Sequence, residues 1–144
     1  MTRGASDGAG GVVSNVTQTL QMTGTNTYSG GLVVNGGTVS ISGDRGLGAI
    51  PGSAVVDSVI LNGGTLASTA TLTMSTTRGV TLGASHGTID VASGTTLTYG
   101  GIIAGSSKNL TKTGAGTLSL GGANSYSGTT TISAGTITLT ANGS

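Results

Sequence analysis

The sequence predicts an all-β protein, a right-handed parallel β-helix (β-solenoid) of about six coils. Three observations predict this fold: an unusual composition, alternating strand-like runs and an internal repeat. Glycine, threonine and serine number 29, 27 and 18, so together they make up 74 of the 144 residues. Charged residues are 6% of the chain, against roughly 25% in an ordinary domain. Such a chain cannot fill a thick core, whereas many short strands can enclose a thin, extended one.

Strand-like runs alternate apolar and hydroxyl residues along the chain. In the run GTLSL, Leu118 and Leu120 point to one face of a strand, and Thr117 and Ser119 point to the other. Threonine suits the outer face because its β-branch fits a pleated surface. Helices are disfavoured, since glycine recurs every few residues and the chain contains no Glu. The runs are therefore predicted to be short strands.

An internal repeat runs through the chain. Residues 19–42 align without gaps on residues 117–140, with nine of 24 positions identical and an offset of 98 residues. A shorter Gly-Thr-apolar echo recurs between the two copies, beginning at Gly37, Gly64, Gly87, Gly116 and Gly135. The echo advances in steps of 27, 23, 29 and 19 residues. The four steps average about 24–25 residues, which lies within the roughly 20–45 residues of solenoid repeats and is enough for one circuit of short strands.

Short runs that are separated by tight turns could also form an antiparallel meander. The parallel coil is favoured because equivalent residue types recur at matching positions, so threonine would stack on threonine and apolar on apolar. Six coils at roughly 4.8 Å each would give a rod about 30 Å long. We predict one β-solenoid over residues 16–144, preceded by a poorly ordered segment or cap at residues 1–15.

Composition and charge exclude several classes of function. The net charge is +1 and the five basic residues form no cluster, which argues against nucleic-acid binding. The absence of cysteine excludes disulfides and thiol chemistry. No apolar run approaches the roughly 18 residues of a membrane helix, and the first ten residues carry no signal-peptide core. The glycine-rich stretches at 8–11 and 43–48 lack the Lys-Ser/Thr pair of a phosphate loop and are predicted to be turns.

Few residues offer catalytic or metal-binding chemistry. The acidic residues are Asp7, Asp44, Asp57 and Asp90, and a carbohydrate-cleaving site would need two of them on one face. Asp57 and Asp90 lie 33 residues apart, which is not a multiple of the coil, so we interpret the aspartates as solvated or turn-capping. His86 lies in the turn-like GASHGT, and one histidine without a thiol makes no transition-metal site. We predict no catalytic residue, no metal and no cofactor.

A resemblance to a known repeat covers residues 110–140, LTKTGAGTLSLGGANSYSGTTTISAGTITLT. This stretch resembles the autotransporter-associated β-strand repeat, also called the passenger-associated transport repeat. The family pattern is K-x-G-x-G-T-L-x-L, then N-x-Y-x-G, then a second strand. Its matching positions are Lys112, Gly114, Gly116, Thr117, Leu118, Leu120, Asn124, Tyr126, Gly128 and Gly135. The earlier copy matches through Asn26, Tyr28, Gly30 and Gly37, and SGDRGLGA resembles the Asp-x-x-Leu-Gly segment of the same passengers.

The resemblance implies a right-handed parallel β-helix that is exported to the bacterial cell surface or secreted. It implies structural or adhesive work rather than catalysis. The expected partners are neighbouring coils of a longer chain, further copies of this chain, or a host or matrix surface. The paired Asn and Tyr positions could bind sugar, but their place in the family pattern favours a structural role. Because the sequence contains neither a signal peptide nor a membrane barrel, we expect either a segment of a longer exported chain or a changed role.

Two alternatives to a surface passenger segment stay open. The run GTITLT ends four residues before the C-terminus without a charged or proline-bearing cap. Uncapped solenoid ends would allow head-to-tail stacking into an extracellular filament. A carbohydrate-cleaving enzyme on the same scaffold is disfavoured because acidic residues are so few.

Overall fold

The computed structural model describes residues 10–140 and shows an all-β solenoid of six rungs. Every strand pairing in this range is parallel. The antiparallel meander is therefore excluded, and the predicted parallel β-solenoid of about six coils is confirmed. The helical structure of this range is a four-residue 3₁₀ turn, Asp44–Leu47.

The strands of residues 10–140 form three sheets, named A, B and C here. Sheet A contains, in spatial order, β1 (Val12–Ser14), β3 (Leu32–Val34), β5 (Val55–Leu61), β8 (Arg78–Leu82) and β11 (Ile103–Ala104). Sheet B contains β2 (Thr19–Met22), β4 (Thr38–Ile41), β6 (Thr65–Ser68), β9 (Gly87–Val91), β12 (Leu110–Thr113) and β14 (Thr130–Ile132). Sheet C contains β7 (Leu72–Met74), β10 (Thr96–Tyr99), β13 (Thr117–Leu120) and β15 (Thr136–Leu139).

The chain visits the sheets in the order A, B, C, and each circuit is one rung. The third, fourth and fifth rungs contain a strand of every sheet. In the first two rungs, loops at 23–31 and 42–54 take the place of a sheet C strand. In the sixth rung, residues 121–129 take the place of a sheet A strand, and their backbone N–H groups donate to the carbonyls of Ile103 and Gly105 in the preceding rung. The loops thus continue the stack without regular strand structure.

Like residues stack in register through successive rungs. One outward file on sheet B contains threonine at every rung: Thr19, Thr38, Thr65, Thr88, Thr111 and Thr131. The adjacent inward file contains Leu20, Val39, Leu66, Ile89, Lys112 and Ile132. Neighbouring strands lie roughly 4.8 Å apart, so each inward side chain packs on its equivalents in the next rungs. The predicted stacking of like on like is confirmed, apart from the lysine in the apolar file.

The core is a narrow column of aliphatic side chains. Val34, Leu66 and Leu97 each have 0% of their surface exposed, although they belong to three different sheets. Tyr99 adds an aromatic ring to the same column, with 2% exposed. Because one or two residues per strand fill the interior, the loss of a single side chain leaves a cavity that no neighbour can fill.

Glycine is required at the corners where successive rungs approach closely. Gly37 and Gly135, equivalent positions of the two repeat copies, have φ values of 61° and 70°. A Cβ on Gly37 would also collide with the backbone oxygens of Val16 and Gln18 in the preceding rung. A side chain at either position would be strained for both reasons.

The two copies of the repeat do not lie on equivalent faces. In the first copy β2 and β4 belong to sheet B, whereas in the second copy β13 and β15 belong to sheet C. The 29-residue step of the echo is longer than one coil, because Thr88 pairs with Thr111 rather than with Thr117. The same alternation of inward and outward residues serves any face, so the pattern itself does not reveal which sheet a strand joins.

The first rung begins before the predicted domain boundary at residue 16. β1 starts at Val12 and pairs with β3 along its length. It lies inside the segment 1–15 that the sequence assigned to a poorly ordered region or cap. Residues 1–9 and 141–144 lie outside the described residues.

We expect Leu97→Ala to lower the free energy of unfolding by about 2–5 kcal/mol, because it leaves a cavity in the column. Thr98→Ala, one residue further along the same strand and exposed, should change it by roughly 0.5 kcal/mol or less. Urea denaturation followed by circular dichroism measures both values. Equal losses for the two variants would contradict the packing of Leu97 described above.

Candidate functional site

Arg78 lies inside the solenoid at the start of β8, with 1% of its surface exposed. Its guanidinium has five N–H donors, and each has an acceptor in the structure. Nε donates to the Asp44 carboxylate at 2.9 Å, and one Nη2–H donates to the carbonyl of Gly48 at 2.7 Å. The remaining acceptors are the carbonyls of Asp44, Leu47 and Ala49. A buried cation is stable here because every donor is used.

Arg78 holds the lateral loop, residues 42–54, against the body of the solenoid. The 3₁₀ turn at the start of this loop directs several carbonyls inward, where they would otherwise lack donors. The Asp44 carboxylate also accepts the backbone N–H of Ser75 at 3.2 Å. Its side chain is 12% exposed, so Asp44 is not solvated, and it accepts a backbone N–H at the turn that follows β7. The predicted turn at 43–48 is confirmed.

Two tyrosines lie beside this arginine: Tyr28, which is partly buried, and Tyr99, which is buried. The ring of Tyr28 packs on Gly48, and its hydroxyl is a buried oxygen without a hydrogen-bond partner in the described residues, as is Oδ2 of Asp44. Burial raises the pKa of Tyr28 to about 12, against a smaller lowering by the charge of Arg78. The hydroxyl of Tyr99 contacts the carbonyl oxygen of Arg78. Burial raises the pKa of Tyr99 as well.

Lys112 is a second buried cation, with 0% of its surface exposed. Its three ammonium donors match three carbonyl acceptors: those of Thr113, Gly114 at 2.7 Å and Ala134 at 3.2 Å. The side chain therefore joins the corner after β12 to the corner after β14 in the next rung. Burial lowers the pKa of Lys112, and the nearby Asp90 opposes this effect to a smaller extent.

The N-x-Y-x-G positions predicted from the repeat join loops to neighbouring rungs. The side-chain amide of Asn26 donates to the carbonyl of Gly46 at 2.8 Å, and the amide oxygen of Asn124 accepts the N–H of Ile103 at 2.9 Å. Tyr28 and Tyr126 both pack against the core. The remaining predicted positions lie in the core or at close backbone approaches: Leu118, Leu120, Gly37, Gly116, Gly128 and Gly135. Gly30 lines the lateral cavity described below.

Asparagines form a file along the corner between sheets A and B. The amide of Asn35 donates to Asn15 at 2.7 Å, and that of Asn62 donates to Asn35 at 3.0 Å. His86 lies at the same corner with a φ of 66°, and its Nδ1 accepts the backbone N–H of Asn109 at 3.1 Å. The predicted turn position of His86 is confirmed.

Asp57 and Asp90 lie on strands of different sheets, β5 of sheet A and β9 of sheet B, so they do not form the carboxylate pair considered from the sequence. Asp57 accepts the Thr81 hydroxyl at 2.7 Å beside sheet A, and Asp90 accepts the Thr113 hydroxyl at 2.9 Å on sheet B. Among residues 10–140, no group of three or more His, Cys, Asp or Glu is placed to hold a metal ion. In the same part of the chain, no helix has the length and apolarity needed to cross a membrane.

A cavity of about 340 Å³, the lateral cavity, lies between the lateral loop and the wall of the solenoid. The residues that line it include Tyr28, Leu47, Ile50, Val55, Asp57 and Arg78. Ile50 and Val55 are 42% and 45% exposed, and Val56 beside them is 66% exposed. The register of β5 against β8 shifts between Val55 and Val59. Apolar side chains therefore reach the surface beside this cavity.

Sequence reasoning missed the two buried cations, although the alternation pattern contained the signal. In β8, Arg78 shares its parity with the inward Val80 and Leu82. In β12, Lys112 shares its parity with the inward Leu110. A basic residue at an inward position of a strand predicts a buried cation with carbonyl acceptors. The partners themselves come from other rungs and from a loop, so no local pattern names them.

The stacked rungs and the loops that bridge them define a repeat protein of the β-solenoid class. Residues 17–41 and 110–139 match the passenger-associated transport repeat, so the resemblance predicted from the sequence is confirmed for these two segments. The chain is also 42% identical over 123 residues, 85% of its length, to an adhesin, the BmaC autotransporter of Brucella suis biovar 1 (strain 1330). The match spans 3% of the length of that relative. No solved structure matches the chain.

We expect Arg78→Met to lower the free energy of unfolding by about 3–5 kcal/mol, because the buried Asp44 carboxylate then loses its counter-charge. Arg78→Lys keeps the charge but offers three donors in place of five, so it should recover part of the loss. Arg45→Met, in the same loop but exposed, is the matched control and should cost roughly 0.5 kcal/mol or less. Chemical denaturation measures all three. A loss for Arg78→Met no larger than that for Arg45→Met would contradict the role of Arg78.

Alkaline pH should destabilise the fold partly through Tyr28. Its pKa is 10.0 in the unfolded chain and about 12 in the folded one, so the folded state keeps a proton that the unfolded state loses. Its contribution is complete below pH 10.0 and is lost as the pH rises toward 12. Burial lowers the pKa of Lys112 from its ordinary value of 10.5. Its effect on the free energy of unfolding therefore has the opposite sign and is confined to pH values below 10.5.

Tyr28→Phe should therefore flatten the fall in stability between pH 10.5 and 12. It should cost little near neutral pH, since the hydroxyl it removes has no partner in the described residues. Denaturation midpoints at neutral and alkaline pH measure both effects. Tyr126→Phe is the control, because it removes a tyrosine hydroxyl that is exposed and bonded to Thr130. An unchanged alkaline slope in Tyr28→Phe would disprove the assignment.

Proposed function

We propose that this chain is a non-catalytic adhesive segment of an autotransporter-type passenger, located on the bacterial surface or secreted. The observation that carries the proposal is an in-register β-solenoid built from passenger-associated transport repeats. The adhesive part is supported by the similarity to a protein that is named an adhesin. That relative is a far longer chain, and the match spans 3% of its length.

The geometry suits a molecule that presents surface at a distance. Each rung adds roughly 4.8 Å along the axis, and the internal stacking makes the column stiff. The outer files are hydroxyl-rich and nearly free of charge, as on sheet B. A stiff, neutral column can carry contact residues without attracting ionic partners non-specifically.

The arrangement of polar side chains favours binding over catalysis. The three described aspartates have separate partners: Arg78 for Asp44, Thr81 for Asp57 and Thr113 for Asp90. His86 is tied to a backbone amide at a corner. General acid–base chemistry needs two such groups to converge on one substrate, and these groups point to different parts of the surface.

The alternative of head-to-tail filaments stays a prediction. Its measurement is analytical ultracentrifugation of the purified chain over a wide concentration range. Rods that lengthen with concentration would support end-to-end stacking, whereas a constant sedimentation coefficient would contradict it.

Adhesion can be tested with beads that carry the purified chain. We expect beads with the intact chain to bind matrix-coated surfaces or cultured cells several-fold more than beads with Leu97→Asp, which places a charge in the core and disrupts the stack. Soluble intact chain should compete with the beads. Equal retention of both bead types, or a loss of polysaccharide upon incubation with the chain, would contradict a non-catalytic adhesive role.

A further inference from the structure

We propose that the lateral cavity binds the side chain of a lysine or arginine from a partner protein. The proposal deepens the adhesive function proposed above by naming the chemistry of the contact. It is carried by three features of the described residues: a cavity of the right size, apolar walls, and an exposed carboxylate without a cationic partner.

The cavity has room for one long side chain. Its volume of about 340 Å³ lies at the lower end of the roughly 300–1,000 Å³ of ligand pockets. Leu47, Ile50 and Val55 supply aliphatic wall, and Tyr28 supplies an aromatic ring. The exposed fractions of Ile50 and Val55, 42% and 45%, leave apolar area that the methylenes of a lysine or arginine would cover.

Asp57 supplies the charge that selects a basic head group. It is exposed, lines the cavity, and is oriented by the Thr81 hydroxyl at 2.7 Å. The ion pair found within residues 10–140 joins Arg78 to Asp44 instead. Arg78 also lines the cavity, but its five donors are already used by Asp44 and the loop carbonyls. The carboxylate of Asp57 is therefore left for a cation from outside, in a charge-assisted hydrogen bond.

The cavity is already formed before any partner arrives. One wall is the body of the solenoid, and the other is the lateral loop. Arg78 fixes this loop by donating to the carbonyls of Leu47, Gly48 and Ala49. Little ordering is then required on binding, which favours affinity. The aromatic ring of Tyr28 adds attraction for a cation that lies over its face.

Anionic ligands fit this site poorly. An incoming carboxylate or phosphate would meet Asp57 and would find no free donor on Arg78. A neutral sugar could donate a hydrogen bond to Asp57. It would find no free donor on Arg78, however, and it would leave the aliphatic walls uncovered. An aliphatic stem with a positive head group satisfies both walls and carboxylate.

The test is an NMR titration of the isotope-labelled chain with N-acetyl-lysine amide and N-acetyl-arginine amide. We expect saturable shifts of signals from the lateral loop and β5. N-acetyl-norleucine amide, which keeps the stem without the charge, should bind more weakly, and N-acetyl-glutamate amide should not bind. Asp57→Asn should weaken lysine binding by roughly three- to tenfold, and Ile50→Ser should also weaken it.

Asp90→Asn is the matched control, because Asp90 is a carboxylate bonded to a threonine hydroxyl outside the cavity. It should bind the probes like the unchanged chain, and denaturation midpoints verify that all variants are folded. Glucose serves as a neutral sugar probe in the same titration. Equal binding of norleucine and lysine amides, tighter binding of glucose than of the lysine amide, or no effect of Asp57→Asn would overturn the proposal. The titration involves no adhesion step, so its failure is distinguishable from failure of the bead assay.

Discussion

The structure depends on one constraint: each rung must place its inward side chains directly over those of the preceding rung. The interior is only one or two side chains wide, and parallel strands repeat at roughly 4.8 Å. A side chain that is too large or too small at one rung therefore disturbs its neighbours on both sides. This explains why most residues of the inward file on sheet B are Leu, Ile or Val, as in Val39, Leu66 and Ile89. It also explains why an outward file such as Thr38, Thr65 and Thr88 can consist of threonine, which has high strand propensity.

The buried cations solve a problem that the same constraint creates at the corners. Where the chain turns inward, backbone carbonyls face the core, and hydrocarbon side chains cannot donate to them. Arg78 satisfies four carbonyls in addition to the Asp44 carboxylate, and Lys112 satisfies three. Lys112 does so across two rungs, since Thr113 and Ala134 lie in successive circuits. Shifting one rung against the next would strand the ammonium, so these cations specify register as well as satisfy polar groups.

Strand alternation made the fold class, the parallel stacking and the core positions such as Leu118 and Leu120 predictable. The pattern has a period of two residues, and it carries this information within each short run. It does not carry the identity of the sheet, which is why the second repeat copy was not placed on sheet C. The lateral cavity was beyond prediction for a related reason. Tyr28, Ile50, Asp57 and Arg78 come from four successive rungs, and their proximity follows from the length of each circuit, which no local motif encodes.

Circuit length also explains why a recognition site would arise at the lateral loop. The circuit from Thr38 to Thr65 takes 27 residues, whereas the circuits from Thr19, Thr65, Thr88 and Thr111 take 19, 23, 23 and 20. The added residues leave the stack at one corner and return at β5, and the register of sheet B is the same before and after them. Inside the column every position is constrained by its neighbours, and on the sheet faces strand propensity limits the choice of residue. The lateral loop is subject to neither limit, yet Arg78 fixes it to the column through four loop carbonyls. Such a loop can change its exposed residues, such as Ile50, while the stack beneath it stays the same.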